Sequence, residues 1–165
     1  MSFTSNTPAP KTVGGSTREF LTFNVDGQLL GIPVLQVQDV LARQKVTRVP
    51  LAPPEVEGSL NLRGRIVTAI NLRRRLGIEG DQPAKTMSIV VEHRGDLYSL
   101  TVDSVGDVLG LSVAAAEAPP ATLEPLWRKH ASEIYRLQER LLVILDITGM
   151  LDELSVKDEE EGHAA

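Results

Sequence analysis

Two stretches of the chain repeat each other at constant distances, and this repetition limits the possible folds more than any other feature. LTFNVDGQLLGIPVLQVQDVL (21–41) aligns with IVVEHRGDLYSLTVDSVGDVL (89–109) at an offset of 68. The alignment pairs Gly27 with Gly95, Leu29 with Leu97, Ile32 with Leu100, Val34 with Val102, Val37 with Val105, and Asp39-Val40-Leu41 with Asp107-Val108-Leu109. Downstream, RIVTAINLRRRL (65–76) aligns with RLLVILDITGML (140–151) at an offset of 75, pairing Arg65 with Arg140, Asn71 with Asp146 and Leu76 with Leu151. Internal periodicity of this kind marks repeated structural units. The chain therefore holds two units of one design in tandem, and the difference of seven between the offsets places an insertion in the second unit, within residues 112–139.

Each unit reads mainly as strand. FLTFNV and SIVVEH are rich in β-branched and aromatic residues. Each is followed by a short polar turn, Asp26-Gly27 or Arg94-Gly95-Asp96, and then by another apolar stretch, which is a hairpin signal. Further strands are expected at VQDVL and VGDVL and at RIVTAI and RLLVIL. Four or five short strands in so few residues predict a small closed barrel per unit, with the first at about 18–82 and the second at about 83–154. The insertion supplies one short helix near 122–132: Thr122 precedes Leu123, Leu126, Trp127 and His130 at helical spacing, and Pro125 is tolerated in a first turn. Its apolar face is expected to cover a barrel opening.

The ends differ from the middle. Residues 1–17 are dominated by Ser, Thr, Pro and Gly, and residues 155–165 (SVKDEEEGHAA) carry a run of like charges, so both read as disordered tails. Between Arg18 and Leu151 there are 15 Lys and Arg against 16 Asp and Glu, so the net charge of −5 comes mostly from the C-terminal residues. A nucleic-acid-binding domain normally shows a basic excess. No apolar run approaches the roughly 20 residues of a membrane span and the N-terminus lacks a signal-peptide pattern, so a cytoplasmic protein with no direct membrane insertion is expected. The absence of cysteine excludes disulfides, thiolate metal sites and cysteine nucleophiles.

Five arginines nevertheless gather in NLRGRIVTAINLRRRLGI (61–78). Asn71 is a good N-cap, LRRRL a favourable helical turn, and Gly77 stands where a left-handed residue ends a helix, so Arg73, Arg74 and Arg75 are expected to decorate a one-turn helix near its negative end. Asp146 caps the matching turn of the second unit, where Thr148, Gly149 and Met150 replace the arginines. Arg63 and Arg65 flank Gly64 at a turn, and an arginine held rigidly there suits contact with a carboxylate, either in docking or within the fold.

Chemistry finds little footing. His93, His130 and His163 are scattered, with neither metal-ligand spacing nor an acid partner set by sequence, Asp158 to Glu161 lack the alternating pattern of a calcium loop, and no phosphate-binding glycine loop is present. No catalytic, metal or cofactor site is expected. Trp127 and Tyr135 are expected to pack between barrel and helix, or to anchor an interface if exposed. The rival class is a small-barrel nucleic-acid binder using Arg63, Arg65 and Arg73 to Arg75, although only six aromatics are available for stacking.

The segments EFLTFNVDGQLLGIPVLQVQDV, VEGSLNLRGRIVTAINLRRRLG, VVEHRGDLYSLTVDSVGDVL and RLLVILDITGMLD together resemble the CheW-like chemotaxis coupling proteins over residues 19–152. The resemblance implies two SH3-like five-stranded barrels side by side in one CheW-like domain over 18–154. It also implies a non-catalytic adaptor, recruited to membrane-associated arrays, that links the regulatory domain of the histidine kinase CheA to the cytoplasmic tips of methyl-accepting chemotaxis receptors, with no nucleic acid as partner. Within that frame Gly58, Asn61 and Arg63 are carried over as a kinase-binding surface. The repeat suggests a receptor groove walled by Val34, Val37, Val102 and Val105 and rimmed by Asp39 and Arg63, the alternative being that the valines fill the barrel cores. Asp39 stands where the family commonly has glutamate, Asn71 where it commonly has aspartate, and Gln138-Glu139 where a glycine is often found.

Overall fold

The computed structural model describes residues 16–154 of the 165-residue chain. Both tails expected from the sequence fall almost entirely outside this range, except that Thr17 already opens the first strand. In the first unit the order is β1 (Thr17–Val25), β2 (Gln28–Pro33), a 3-10 turn (Val34–Gln36), β3 (Val37–Ala42), β4 (Val56–Leu62), β5 (Arg65–Asn71) and α1 (Leu72–Arg75). The second unit repeats it with β6 (Met87–His93), β7 (Asp96–Val102), β8 (Ser104–Ser112), a 3-10 turn (Val113–Ala115), β9 (Ala131–Arg136), β10 (Leu141–Leu145) and a helix α3 over 147–154. The insertion carries α2 (Pro125–His130), inside the expected span and with proline in its first turn. Five strands, in the same order, follow from each repeat.

Local chemistry explains the hairpins. Asp26-Gly27, Arg63-Gly64 and Arg94-Gly95 all have positive φ and join strands paired on either side of them, which is the two-residue turn whose twist matches that of the strands. β9 and β10 pair from Arg136 to Leu141 across a longer glycine-free loop. α1 is capped as expected: Asn71 Oδ1 accepts the Arg74 amide at 3.3 Å, and Ile78 and Gly77 donate back to the Arg73 and Arg74 carbonyls in a Schellman closure. Asp146 Oδ1 accepts the Gly149 amide at 3.0 Å at the start of α3.

The two five-stranded sheets do not follow the two halves of the chain. One has the order β8-β1-β2-β10-β9 and the other β3-β6-β7-β5-β4. Each unit thus donates its first hairpin to the sheet built by the other unit's last three strands, and a division near residue 82 describes the repeat but not the sheets. The seams are the parallel pairs β2·β10 and β5·β7 and the antiparallel pairs β1·β8 and β3·β6. Each sheet closes on itself by one bridge between the segment after its third-type strand and the opposite edge, Thr47 with Ser59 and Glu117 with Ile134. The chain crosses between sheets at the 3-10 turn 34–36 and at the single residue Asp103.

Burial follows from this exchange. Phe20, Leu29, Tyr135, Leu142 and Ile144 fill one barrel, and Leu60, Val67, Ala69, Val90 and Leu97 fill the other. The intervening residues of the same strands, among them Phe23, Leu30, Ile89, Leu100, Val143 and Leu145, join Ile147, Met150, Leu151 and Leu154 of α3 in a larger cluster shared by both sheets. Strands with two buried faces read as continuous apolar runs, which is why LLVIL and SIVV do not alternate.

Two of the decorating arginines lie inside. Arg73 and Arg75 are buried, and only Arg74 is exposed. Arg73 reaches Asp103 at 2.9 Å and Asp26 at 3.3 Å, so it ties the crossover residue to the β1–β2 turn. The Asp26 amide donates to the same Asp103 carboxylate at 2.8 Å, and the Asp103 amide donates to the Asn24 carbonyl. Arg75 pairs with Glu153 of α3 and lies 3.9 Å from Glu55. The expectation of a solvated face fails because α1 is packed at the junction of the sheets, where each guanidinium finds a carboxylate from another element.

Candidate functional site

Asp39 stands just after a β-bulge in β3. Val37 pairs with Val91 and Asp39 with Val90, leaving Gln38 as the extra residue, and a bulge bends the strand and re-aims the side chain that follows. Asp39 Oδ2 lies 3.0 Å from the Arg63 guanidinium, and its Oδ1 accepts the Val40 amide at 2.9 Å. Arg63 is held at φ 52 in the β4–β5 turn, with its side chain 77% exposed. Asn61 fixes that turn by accepting the Gly64 amide on Oδ1 at 3.0 Å. Since β3 and β4 are the two edges of their sheet, the Asp39–Arg63 pair spans the seam that the Thr47–Ser59 bridge closes. An exposed pair contributes at most about 1 kcal/mol to stability, so its larger effect is to hold two opposite charges in fixed register at the surface.

The valines separate. Val37 on β3 and Val105 on β8 are half-buried, and both rest against the shared cluster from different sheets. Val34, in the 3-10 crossover, is also half-buried. Val102 is 1% exposed and belongs to the shared core, so it cannot wall a groove. It ends β7 directly before the crossover, where both faces of the strand are covered. Leu35, next to Val34 and 92% exposed, and Ile66, paired with Asn61 across the β4–β5 hairpin and 68% exposed, are apolar surface residues that the sequence reading passed over. A signal for Leu35 existed: the repeat sets it opposite Asp103, an apolar residue where the other unit has a charge.

Gly58 is not on the surface. It is buried at φ 150, and a Cβ there would lie 2.1 Å from the Thr47 carbonyl oxygen. It makes a close backbone approach to the molecule's own chain at the barrel closure, so it is not an exposed contact of the kinase-binding surface carried over for it. An aspartate at this position would have to displace the Thr47 carbonyl and is expected to disrupt the closure.

The remaining candidates are absorbed by the fold. Arg65 lies 3.1 Å from the Gly95 carbonyl and 3.9 Å from Glu92. With Arg63, Arg73 and Arg75 also paired, the arginine cluster offers no continuous cationic track, and the nucleic-acid reading loses its support. His93 is buried beside Asp152, whose Oδ1 is 2.7 Å from the ring and also meets Arg94; that hydrogen bond to His93 chiefly holds the Asp152 carboxyl below its ordinary range. His130 is 3% exposed, and burial is the main cause of its lowered pKa. His163 lies outside the described residues. Among the described residues no three His, Cys, Asp or Glu side chains come together as a metal group, and no helix is long and apolar enough to cross a membrane. Trp127 rests half-buried on the shared cluster. Tyr135 is enclosed, its ring 5.5 Å from that of Phe20, and burial raises its pKa.

The fold is thus two interlocked β-barrels, with half-buried apolar side chains resting on the shared cluster and a fixed ion pair at the closure seam of one barrel. Residues 19–155 match the family model of the CheW-like domain, and the chain belongs to that family. It is 32% identical to the chemotaxis protein CheW of Klebsiella aerogenes over 153 residues, covering 91% of this chain and 90% of that one. It is also 32% identical to the chemotaxis protein CheW of Thermotoga maritima over 151 residues, covering 90% and 98%. The crystal structure of scaffolding protein TtCheW from Thermoanaerobacter tengcongensis superposes with a TM-score of 0.74 at 25% identity, covering 82% of this chain and 92% of that one. The chain is accordingly a non-catalytic chemotaxis scaffold.

Proposed function

We propose that this protein couples the cytoplasmic tips of methyl-accepting chemotaxis receptors to the regulatory domain of the histidine kinase CheA, acting in the cytoplasm at membrane-associated arrays. The observation that carries this reading to particular residues is the Asp39–Arg63 pair at the barrel seam, near the half-buried Val37. A receptor tip is a helical hairpin, and an amphipathic helix can lay apolar anchors over Val34, Val37 and Val105 while the ion pair sets its register. Asn61 and Arg63 would present the kinase-facing surface, with Gly58 shaping that surface from beneath. Binding both partners at once raises the effective concentration of each for the other, and a signal passes only if the contacts differ between receptor states.

The test is a charge swap. Asp39→Arg and Arg63→Asp are each expected to weaken receptor association about tenfold, with Tm shifted by only a few degrees, because a rim charge affects encounter and register more than stability. The double swap is expected to recover part of the loss. Unchanged receptor binding in both single variants, measured by calorimetry with receptor fragments, would place the receptor site elsewhere.

A further inference from the structure

Within α1 the three arginines have different fates: Arg73 and Arg75 are buried in ion pairs, whereas Arg74 is exposed. Arg74 and Arg48 line a cleft of about 780 Å³ whose other wall is the proline-rich loop 49–54. Neither guanidinium makes an ion pair or a side-chain hydrogen bond among the described residues. The carboxylate in the wall, Glu57, is already engaged, accepting from Gln82 Nε2 at 2.9 Å and from Thr101 Oγ1 at 2.5 Å. Nor does the shared architecture need a cation at Arg74, since the repeat places Gly149 at the matching position.

We propose that this cleft receives the chain's own acidic run, Asp158 to Glu161, with its carboxylates on Arg48 and Arg74. Charge and reach both support this occupant. The run sets four carboxylates in consecutive positions, and the guanidinium fork matches a carboxylate in bidentate fashion. Glu153 is bound to Arg75, the neighbour of Arg74, and Arg75 also faces Glu55 at the edge of the proline-rich loop. The last turn of α3 is therefore joined through one guanidinium to Glu55, which stands between the cleft-lining Pro54 and Val56. Four to seven further residues at roughly 3.3–3.6 Å each span about 13–25 Å, enough to cover the cleft. A tether this short gives an effective concentration on the order of millimolar, so contacts too weak between separate molecules become populated within one. The cleft adjoins the Gly58 closure, where Arg48 Cα lies 3.1 Å from the position of an added Cβ. A docked run would thus contest any partner that docks over the Gly58 closure. That consequence rests on the adaptor reading, whereas occupancy of the cleft does not.

These 165 residues include no cysteine, so a nitroxide on His163→Cys in this chain labels one site only. Paramagnetic broadening of the amide signals of Val49, Leu51, Ala52 and Arg74 is expected to remove about half or more of their intensity at low salt and to fade near 0.5 M salt, where the screening length is only about 4 Å. The same label on a chain carrying Asp158→Asn with Glu159, Glu160 and Glu161 each changed to Gln is expected to leave those signals intact, as is the label on Arg48→Gln/Arg74→Gln. No localised broadening in the natural tail, broadening centred on another surface, or equal broadening after either set of substitutions would overturn the proposal. Because no receptor or kinase is present, the result is independent of whether the adaptor reading stands.

Discussion

At the scale of single residues, two positions carry more than their exposure or type suggests. Gly58 lets the segment after β3 cross β4 closely enough for Thr47 and Ser59 to exchange hydrogen bonds at 2.8 Å. Gly58→Ala must push the Thr47 carbonyl away and is expected to cost about 2–4 kcal/mol in urea denaturation. Gly64→Ala, at φ 85 but with open space around it, is expected to cost only about 1 kcal/mol. A similar loss for both would show that conformation, not the crossing, sets the effect. Arg73 is the second position. Removing it by Arg73→Met leaves Asp103 facing Asp26 without a counter-charge, with an expected cost of about 3 kcal/mol. Adding Asp103→Asn should recover part of that cost, and a purely additive double-mutant cycle would deny the coupling.

At the scale of elements, α2 and α3 meet α1 in a small charged junction with a definite response to acid. Lys129 of α2 lies 2.9 Å from Glu153 of α3, and Arg75 of α1 binds the same carboxylate. Lys129 first, and then Arg75, hold Glu153 below its ordinary pKa of 4.5. His130 at the end of α2 is buried with Nε2 unpartnered, and burial, helped by Arg75 and Lys129, lowers its pKa below 6.5. The unfolded chain binds a proton near pH 6.5 that the folded ring refuses. Stability from this source is therefore level above that pH and falls as pH drops below it, until the folded ring is protonated too. The contribution of Glu153 is present above pH 4.5 and disappears as pH falls through its lowered folded value. Thermal melts between about pH 8 and about pH 3 are expected to show both losses, and His130→Leu is expected to abolish the upper one. An unchanged upper loss in that variant would assign it to another group.

At the scale of the whole molecule, the exchange of hairpins makes the barrels depend on one another. Neither half of the chain contains a complete sheet, and the shared cluster joins strands of both sheets to α3. Thermal unfolding is accordingly expected as one transition, with a calorimetric to van't Hoff enthalpy ratio of about 1. Fragments cut between residues 82 and 83 are expected to lack cooperative unfolding when separate. Two transitions, or an independently folded fragment, would show that the barrels are separable. The same interlocking suits an adaptor, because a displacement at one docking face is opposed by a packed core rather than absorbed by a linker.

Much of this molecule was legible in the sequence because it is locally encoded. The Asp-Gly and Arg-Gly turns, the Asn71 and Asp146 caps, the proline-started helix and the strand count all depend on residues a few positions apart. The repeat offsets supplied the two-unit design, and the family resemblance followed from motifs that stay intact in linear order. Asp39 and Arg63 were also legible as candidates, but not as partners of each other, since the bulge at Gln38 that aims one toward the other leaves no local signature. Tertiary structure alone decided which sheet each hairpin joins, because a doubly buried apolar run such as LLVIL fits either neighbour equally. It also decided that Val102 is core, that Gly58 faces Thr47, and that Arg73 and Arg75 are enclosed. In each case the deciding atoms come from strands or turns remote in sequence, and the free energy of burying or pairing a side chain depends on what the fold brings against it.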